Sequence, residues 1–361
     1  MSGIPDDLDN IGNRIQDENV DDSPIFRSNY IHPYEKLTPD IVINAVESLG
    51  YISDARILAL NSYENRVYQV GVQNQEPIII KFYRPERWSI SQILEEHEFT
   101  NKLYSLDIPV VPPKVFSALE YKTLGNFENF LFSIYPRQGG RAPELDNLEH
   151  LFQLGQFIGR IHSVGASFNF KFRNSISVED FGEKNVRYLI DNNFIPKDLL
   201  PAYKSISSQL LKILSLTELS SNKFKTISLH GDCHPGNILW REERPHFLDF
   251  DDAITGPAIQ DLWMLLSGEK ENRQKQFSEI LEGYENFYYF DSSELALIEP
   301  LRVLRVLNYN GWLAKRWKDP AFPISFPWFN TQKYWSEHIL ELKELLSSLN
   351  EPALNLPNKF Y

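Results

Sequence analysis

A chain of 361 residues with 42% hydrophobic and 24% charged side chains has ordinary globular composition and is long enough for two lobes, each with its own core. The net charge of −13 argues against nucleic acid or an anionic membrane as the main partner, since either would repel the chain outside local basic patches. The single cysteine, Cys233, excludes an internal disulfide and a thiolate zinc site, and no run approaches the roughly eighteen apolar residues of a membrane span, which points to the cytoplasm.

Residues 1–28 hold seven acids (Asp6, Asp7, Asp9, Asp17, Glu18, Asp21, Asp22) against Arg14 and Arg27 and show no hydrophobic period, so an acidic flexible tail is expected there. Thr38-Pro39-Asp40 reads as a cap and first-turn proline, opening a helix with Ile41, Ala45, Val46 and Leu49 on one face before Gly50. Three runs rich in β-branched and aromatic residues follow, 57–60, 66–72 and 77–83, and predict an antiparallel meander. Helical spacing returns over 90–106, and 131–135 is a further strand. Beyond Pro136 the pattern is helical, over 148–162, 199–214 and around 301–317, broken only by short strands at 227–229, 238–240 and 247–250. The division this predicts is a tail over 1–28, a small strand-rich N-lobe over 29–135 and a larger helical C-lobe over 136–361: an α+β, bilobal chain.

The chemistry is concentrated in His230-Gly231-Asp232-Cys233-His234-Pro235-Gly236-Asn237, followed by Phe247-Leu248-Asp249-Phe250-Asp251-Asp252. Phosphoryl transfer needs an acceptor for the substrate hydroxyl's proton and ligands for the ions that bridge nucleotide phosphates. Asp232 at the start of a loop supplies the first. Asn237 at its end and Asp249 on the expected hairpin partner over 247–250 supply oxygen donors of the kind hard magnesium takes. His230 is expected to hold the loop through a backbone hydrogen bond.

His230-x-Asp232-x4-Asn237 with Asp249-Phe250-Asp251 resembles the catalytic and metal-binding loops shared by protein kinases and by aminoglycoside, choline and homoserine kinases. Gly155-x3-Gly159-x2-His162 and Gln260-Asp261-Leu262 resemble the second branch, in which Asp261 would be a buried acid anchoring the catalytic loop. Asn61 to Tyr68, Lys81 to Trp88, Gln260 to Leu266 and Asp319 to Phe322-Pro323 extend the similarity over roughly residues 36 to 361, to serine/threonine protein kinases of the bacterial stress response. The resemblance implies a protein-kinase-like fold with an antiparallel-sheet N-lobe and helical C-lobe, a monomer using ATP and Mg2+ to phosphorylate a protein Ser or Thr. It makes Asp232 the base, Asn237 and Asp249 the magnesium ligands, Ser62 an ATP contact and Lys81 the grip on the α- and β-phosphates. For the carboxylate partner of Lys81, Glu95, Glu96 and Glu98 compete, and Glu96 is favoured because it shares a face with Phe99 and Leu103.

Two departures stand out. Asn61-Ser62-Tyr63-Glu64-Asn65 lacks the glycine-rich signature of a phosphate-covering loop, and Asp249-Phe250-Asp251 replaces Asp-Phe-Gly with no Ala-Pro-Glu after it, which argues against activation-loop switching. Blander readings accompany the rest. Lys81 alone is a solvated strand lysine, and gains meaning from the apolar Ile78-Ile79-Ile80 before it; His162, His234 and Cys233 read as structural; Trp312, Trp317 and Trp328 read as core, with Arg302, Arg305, Lys315 and Arg316 nearby able to bind an acidic acceptor. Competing functions are a small-molecule kinase, a metallohydrolase using His230, Asp232 and His234 with Asp249, and a nucleotide-binding module without transferase activity.

Overall fold

The computed structural model describes residues 32–354 other than 218 and 220–223, so the acidic stretch 1–28 lies outside the described residues. Helix α1 (Pro39–Glu47) starts where Thr38 Oγ1 accepts the Ile41 N–H, with Pro39 in the first turn. It buries Val42, Ala45 and Val46 against a sheet formed by β1 (Ser53–Ala59), β2 (Arg66–Val72) and β3 (Ile78–Phe82), then, after α2 (Ile90–Ser105), by β4 (Gly125–Phe127) and β5 (Phe130–Pro136). All pairings are antiparallel, in the order β1-β2-β3-β5-β4. On β3 the two-residue period decides which side chains serve the core: Ile78, Ile80 and Phe82 are buried in the sheet's own apolar cluster, and Lys81, opposite Val67 and Ser133, takes the other face.

The C-terminal part contains α3 (Leu148–Gly165), α4 (Lys184–Asp191), α5 (Leu200–Leu216), β6 (Ile227–Leu229), β7 (Ile238–Arg241), β8 (Arg244–Phe247), β9 (Ile254–Gly256), α6 (Ile259–Trp263), α7 (Lys270–Tyr284), α8 (Ile298–Arg316), α9 (Ala321–Ser325) and α10 (Gln332–Ser348). Most of its core is one apolar cluster, against which Trp312, Trp317 and Trp328 pack half-buried, and a smaller cluster gathers Ile227, Leu229, Ile254 and Ala258. That cluster also takes in Phe99 and Leu103 of α2, so α2 leans on the helical core while the sheet keeps a separate one. Helices α3 and α7 approach so closely at Gly155 that any Cβ there would strike the Ile280 carbonyl.

One expected element is displaced. Strand β8 ends at Phe247 rather than beginning there, and Asp249 turns left-handed with φ 54° into a 3-10 turn over Phe250–Asp252. The apolar run Phe247-Leu248 followed by Phe250 imitates a strand, but Phe250 is drawn under Phe99 and His230, 6.0 and 4.4 Å between ring centres, which takes the chain out of the ladder. Strands β4 and β9, three residues each, have no counterpart in the expected elements.

Candidate active site

Directly after the buried Leu229 the chain turns through His230-Gly231-Asp232, with Gly231 at φ +87°. One carboxylate catches both turn amides: the His230 N–H donates to Asp261 Oδ2 at 2.8 Å and the Gly231 N–H to Oδ1 at 2.9 Å. Asp261 is itself held by His162 Nε2 at 3.1 Å, and His162 Nδ1 meets the Tyr284 hydroxyl at 2.8 Å. Charge-assisted bonds to a buried carboxylate make a stiff mount. His162 is thereby structural, as its sequence context suggested.

His230 Nε2 donates to the Leu248 carbonyl at 2.7 Å, and its Nδ1 accepts the Asp232 N–H at 3.3 Å, so the ring also ties the two functional segments together. His234 Nδ1 accepts the Gly236 N–H at 3.0 Å. With these nitrogens engaged by backbone, the His230–Asp232–His234 set does not converge on a shared centre, and among the described residues no group of three His, Cys, Asp or Glu could hold a metal ion.

Asp232 Oδ1 receives Arg305 Nη1 at 2.7 Å and Oδ2 lies 3.4 Å from His234 Nε2. Burial works to raise the pKa of this carboxyl, but the Arg305 guanidinium and His234 outweigh it and hold it well below the usual carboxylate range. Asn237 Nδ2 donates to the Asp232 carbonyl at 2.9 Å, which commits the carboxamide nitrogen to the loop and leaves its oxygen for a cation. The Leu248 N–H donates to the Asn237 carbonyl at 2.9 Å, bringing the second segment alongside.

Asp249 is half-exposed, and its Oδ1 lies 2.9 Å from Lys81 Nζ. The ammonium, on a residue only 5% exposed, also lies 3.1 Å from Asp251 Oδ1. Burial alone would pull the pKa of Lys81 down; the carboxylates of Asp249, Asp251 and Glu96 reverse this and keep it charged. Asp251 is further bonded by Asn65 Nδ2 at 3.1 Å and by Arg87, which also holds Asp252 at 2.5 Å.

The expected Lys81–Glu96 ion pair is not formed. Glu96 is joined at 2.9 Å to Arg173 Nη2, and Lys81 takes Asp249 and Asp251 instead. The physical reason is a rival cation: the Arg173 guanidinium, with no exposed side-chain surface, lies against α2 and leaves Glu96 to act on Lys81 only through space. Burial, countered by Lys81 and Arg173, raises Glu96 to about 7. Of the other two candidates, Glu95 caps the backbone N–H groups of Phe172 and Arg173 at 2.9 and 2.8 Å, and Glu98 is exposed.

Ser62 is half-buried in the turn between β1 and β2. That turn is fastened across the molecule, because Glu64 binds Arg84 and Arg316, each at 3.0 Å, and receives the Trp312 indole N–H. Beside it Asp319 holds Arg84 at 2.7 Å and Arg66 at 3.0 Å. Asn65, Arg87 and Asp319 lie inside the segments that carry the resemblance, but their flanking residues are mostly polar or exposed and give no local signal of these contacts.

Fold and site together define a phosphotransferase of the kinase type. The chain belongs to the phosphotransferase enzyme family, whose model matches residues 56–298. It is 41% identical over 329 residues to stress response kinase A of Escherichia coli O157:H7, covering 91% of this chain and 98% of that one. It is 41% identical over 323 residues to the serine/threonine protein kinase RdoA of Salmonella typhimurium strain LT2, covering 90% and 97%. Solved structures share the fold: an amicoumacin kinase, hAmiN, in complex with AMP-PNP, Ca2+ and Ami has a TM-score of 0.66 at 22% identity, covering 84% of this chain and 93% of that one. A microcompartment-associated aminopropanol kinase has a TM-score of 0.64 at 18% identity, covering 88% and 100%. Among the described residues no helix is long and apolar enough to cross a membrane.

Proposed function

We propose that this protein is an ATP- and Mg2+-dependent serine/threonine protein kinase of the bacterial stress response, with residues 29–135 and 136–361 as its nucleotide-side and acceptor-side lobes. The observation that supports this best is the placement of Lys81 Nζ 2.9 Å from Asp249 Oδ1, with Asn237 and Asp232 on the loop bonded to the same segment. In this reading Lys81 holds the α- and β-phosphates and Ser62 contacts the nucleotide from the β1–β2 turn. Asn237 Oδ1 and Asp249 would hold magnesium, whose chemistry there is to neutralise phosphate charge. Asp232 accepts the proton of the acceptor hydroxyl as its oxygen bonds to the γ-phosphorus; the bond from that phosphorus to the bridging oxygen breaks, and ADP leaves. The protein acceptor and the stress-response role take their support from the names of the two bacterial relatives.

Transfer of labelled γ-phosphate to a panel of proteins, run beside a panel of amino alcohols and aminoglycosides, tests the reading. Labelled phosphoserine or phosphothreonine is the expected product. Rapid turnover of a small alcohol with no protein labelling would replace it with the small-molecule reading, for which the same Asp232, Asn237 and Asp249 serve.

A further inference from the structure

The four basic residues of α8 have different fates. Arg302 is paired with Glu299 at 2.6 Å, Lys315 with the Asn185 carboxamide oxygen at 2.6 Å, and Arg316 with Glu64 at 3.0 Å. Arg305 alone is turned onto the proposed base, with Nη1 2.7 Å from Asp232 Oδ1 and 3.1 Å from Met264 Sδ. Its side chain is 37% exposed and that of Asp232 26%, so an incoming solute can reach the pair.

This contact sets a condition on catalysis. Asp232 Oδ1 is covered by Arg305, and Oδ2 is shared between His234 Nε2 and Asn237 Nδ2, each at 3.4 Å. A carboxylate accepts about four hydrogen bonds, so these three donors crowd it, and the approach of a hydroxyl to Oδ1 is cleared when the guanidinium yields. Arg305 is the one whose fork of N–H groups can turn to a new partner, and a guanidinium binds a planar carboxylate or a phosphate in bidentate fashion. The acidic side chains on the adjoining elements are already matched, Asp252 by Arg87 at 2.5 Å and Glu299 by Arg302 and by Arg273 at 3.6 Å. A positively charged acceptor would meet Arg305 head on.

We propose that Arg305 selects acceptors whose hydroxyl is flanked by carboxylate or phosphate groups, the incoming anion drawing the guanidinium off Asp232 and so freeing the carboxylate to take the hydroxyl proton. The proposal deepens the kinase reading and rests on it. Of the four basic side chains expected to suit an acidic acceptor, it retains Arg305 and releases Arg302, Lys315 and Arg316, which have other partners.

The full chain, with Mg2+ and labelled ATP, is assayed on two serine peptides identical except that Asp and Glu flank the serine in one and Asn and Gln in the other. The wild type is expected to favour the acidic peptide by about tenfold or more in kcat/KM, with the difference in kcat as well as in KM because the neutral peptide leaves Arg305 on the base. In Arg305→Gln the ratio between the peptides collapses toward one, and Arg305→Lys restores part of it; calorimetric titration with ADP shows that both variants remain folded. Equal use of the two peptides by the wild type, or an unchanged ratio in Arg305→Gln, would overturn the proposal. If only small alcohols are phosphorylated, the protein-kinase reading is lost but Arg305 is still judged: a hydroxy acid must be preferred over the matched amino alcohol, and the reverse order defeats it.

Discussion

Glu64 and Arg316 stand 252 residues apart, yet the carboxylate receives both Nε and Nη2 of the guanidinium at 3.0 Å. The pair fastens the β1–β2 turn, proposed to cover the phosphates, to α8 of the helical part. Burial works to raise the Glu64 carboxyl, but the guanidinium groups of Arg87, Arg316 and Arg84 outweigh it and hold it below the usual range. The usual glycine-rich loop is flexible; here a loop without glycine is positioned by a carboxylate among arginines.

Glu64→Ala leaves Arg84, Arg87 and Arg316 facing one another without their shared counter-charge. It is expected to cost about 3 kcal/mol of stability and to raise the KM for ATP severalfold. Thermal unfolding and ATP-dependent rates check this; an unaltered KM with a lowered melting temperature would confine Glu64 to a purely structural role.

Asp232→Asn should lower kcat by at least about a hundredfold while ADP affinity stays within a few fold, because it removes the proton acceptor and leaves the nucleotide grip in place. Lys81→Met should weaken both, since it takes away the phosphate contact and leaves Asp249 and Asp251 without their ammonium. Parallel turnover and ADP calorimetry on the two variants separate the roles.

Glu294 accepts the Ile259 N–H at 2.9 Å at the start of α6, and burial, only partly offset by that bond, raises its carboxyl to about 7. A carboxyl raised in the folded state binds its proton more tightly there than in the unfolded chain, so its contribution to stability is full at low pH and falls as pH rises from about 4.5 to about 7. Glu294→Gln keeps an acceptor for the N–H and removes the charge. The variant is expected to match the wild type near pH 4 and exceed it by on the order of 2 kcal/mol at pH 8, read by urea unfolding at the two values.

Gly231→Ala should abolish turnover and destabilise the protein by about 2 kcal/mol or more, because φ +87° is strained for alanine and the added methyl would strike the Asp252 carbonyl. Loss of activity with an unchanged melting temperature would show that the turn has room the geometry does not suggest.

The placement of the loop bearing Asp232 and Asn237 was legible because the pattern is local: six positions span both residues, and a three-residue strand on one side and a hairpin on the other mount them. Lys81 was legible through the buried isoleucines ahead of it, which set the strand's alternation. The partner of Glu96 was not, since α2 offers three glutamates within four positions and the arginine that decides between them comes 77 residues later. Arg305 could be read only as one of four basic side chains able to meet an acidic acceptor, with nothing to join it to Asp232. Its meaning depends on where α8 crosses the loop after β6, a long-range fact that charge and periodicity do not encode.

The Asp-Phe-Asp turn carries a pharmacological consequence. Phe250 is 2% exposed beneath Phe99 and His230, and Asp251, standing where many kinases have a freely pivoting glycine, is bound by Lys81, Asn65 and Arg87. A ligand that needed Phe250 swung outward would have to break those three polar contacts of Asp251 first. Molecules that compete for the proposed nucleotide site would meet this turn as it stands, without that cost.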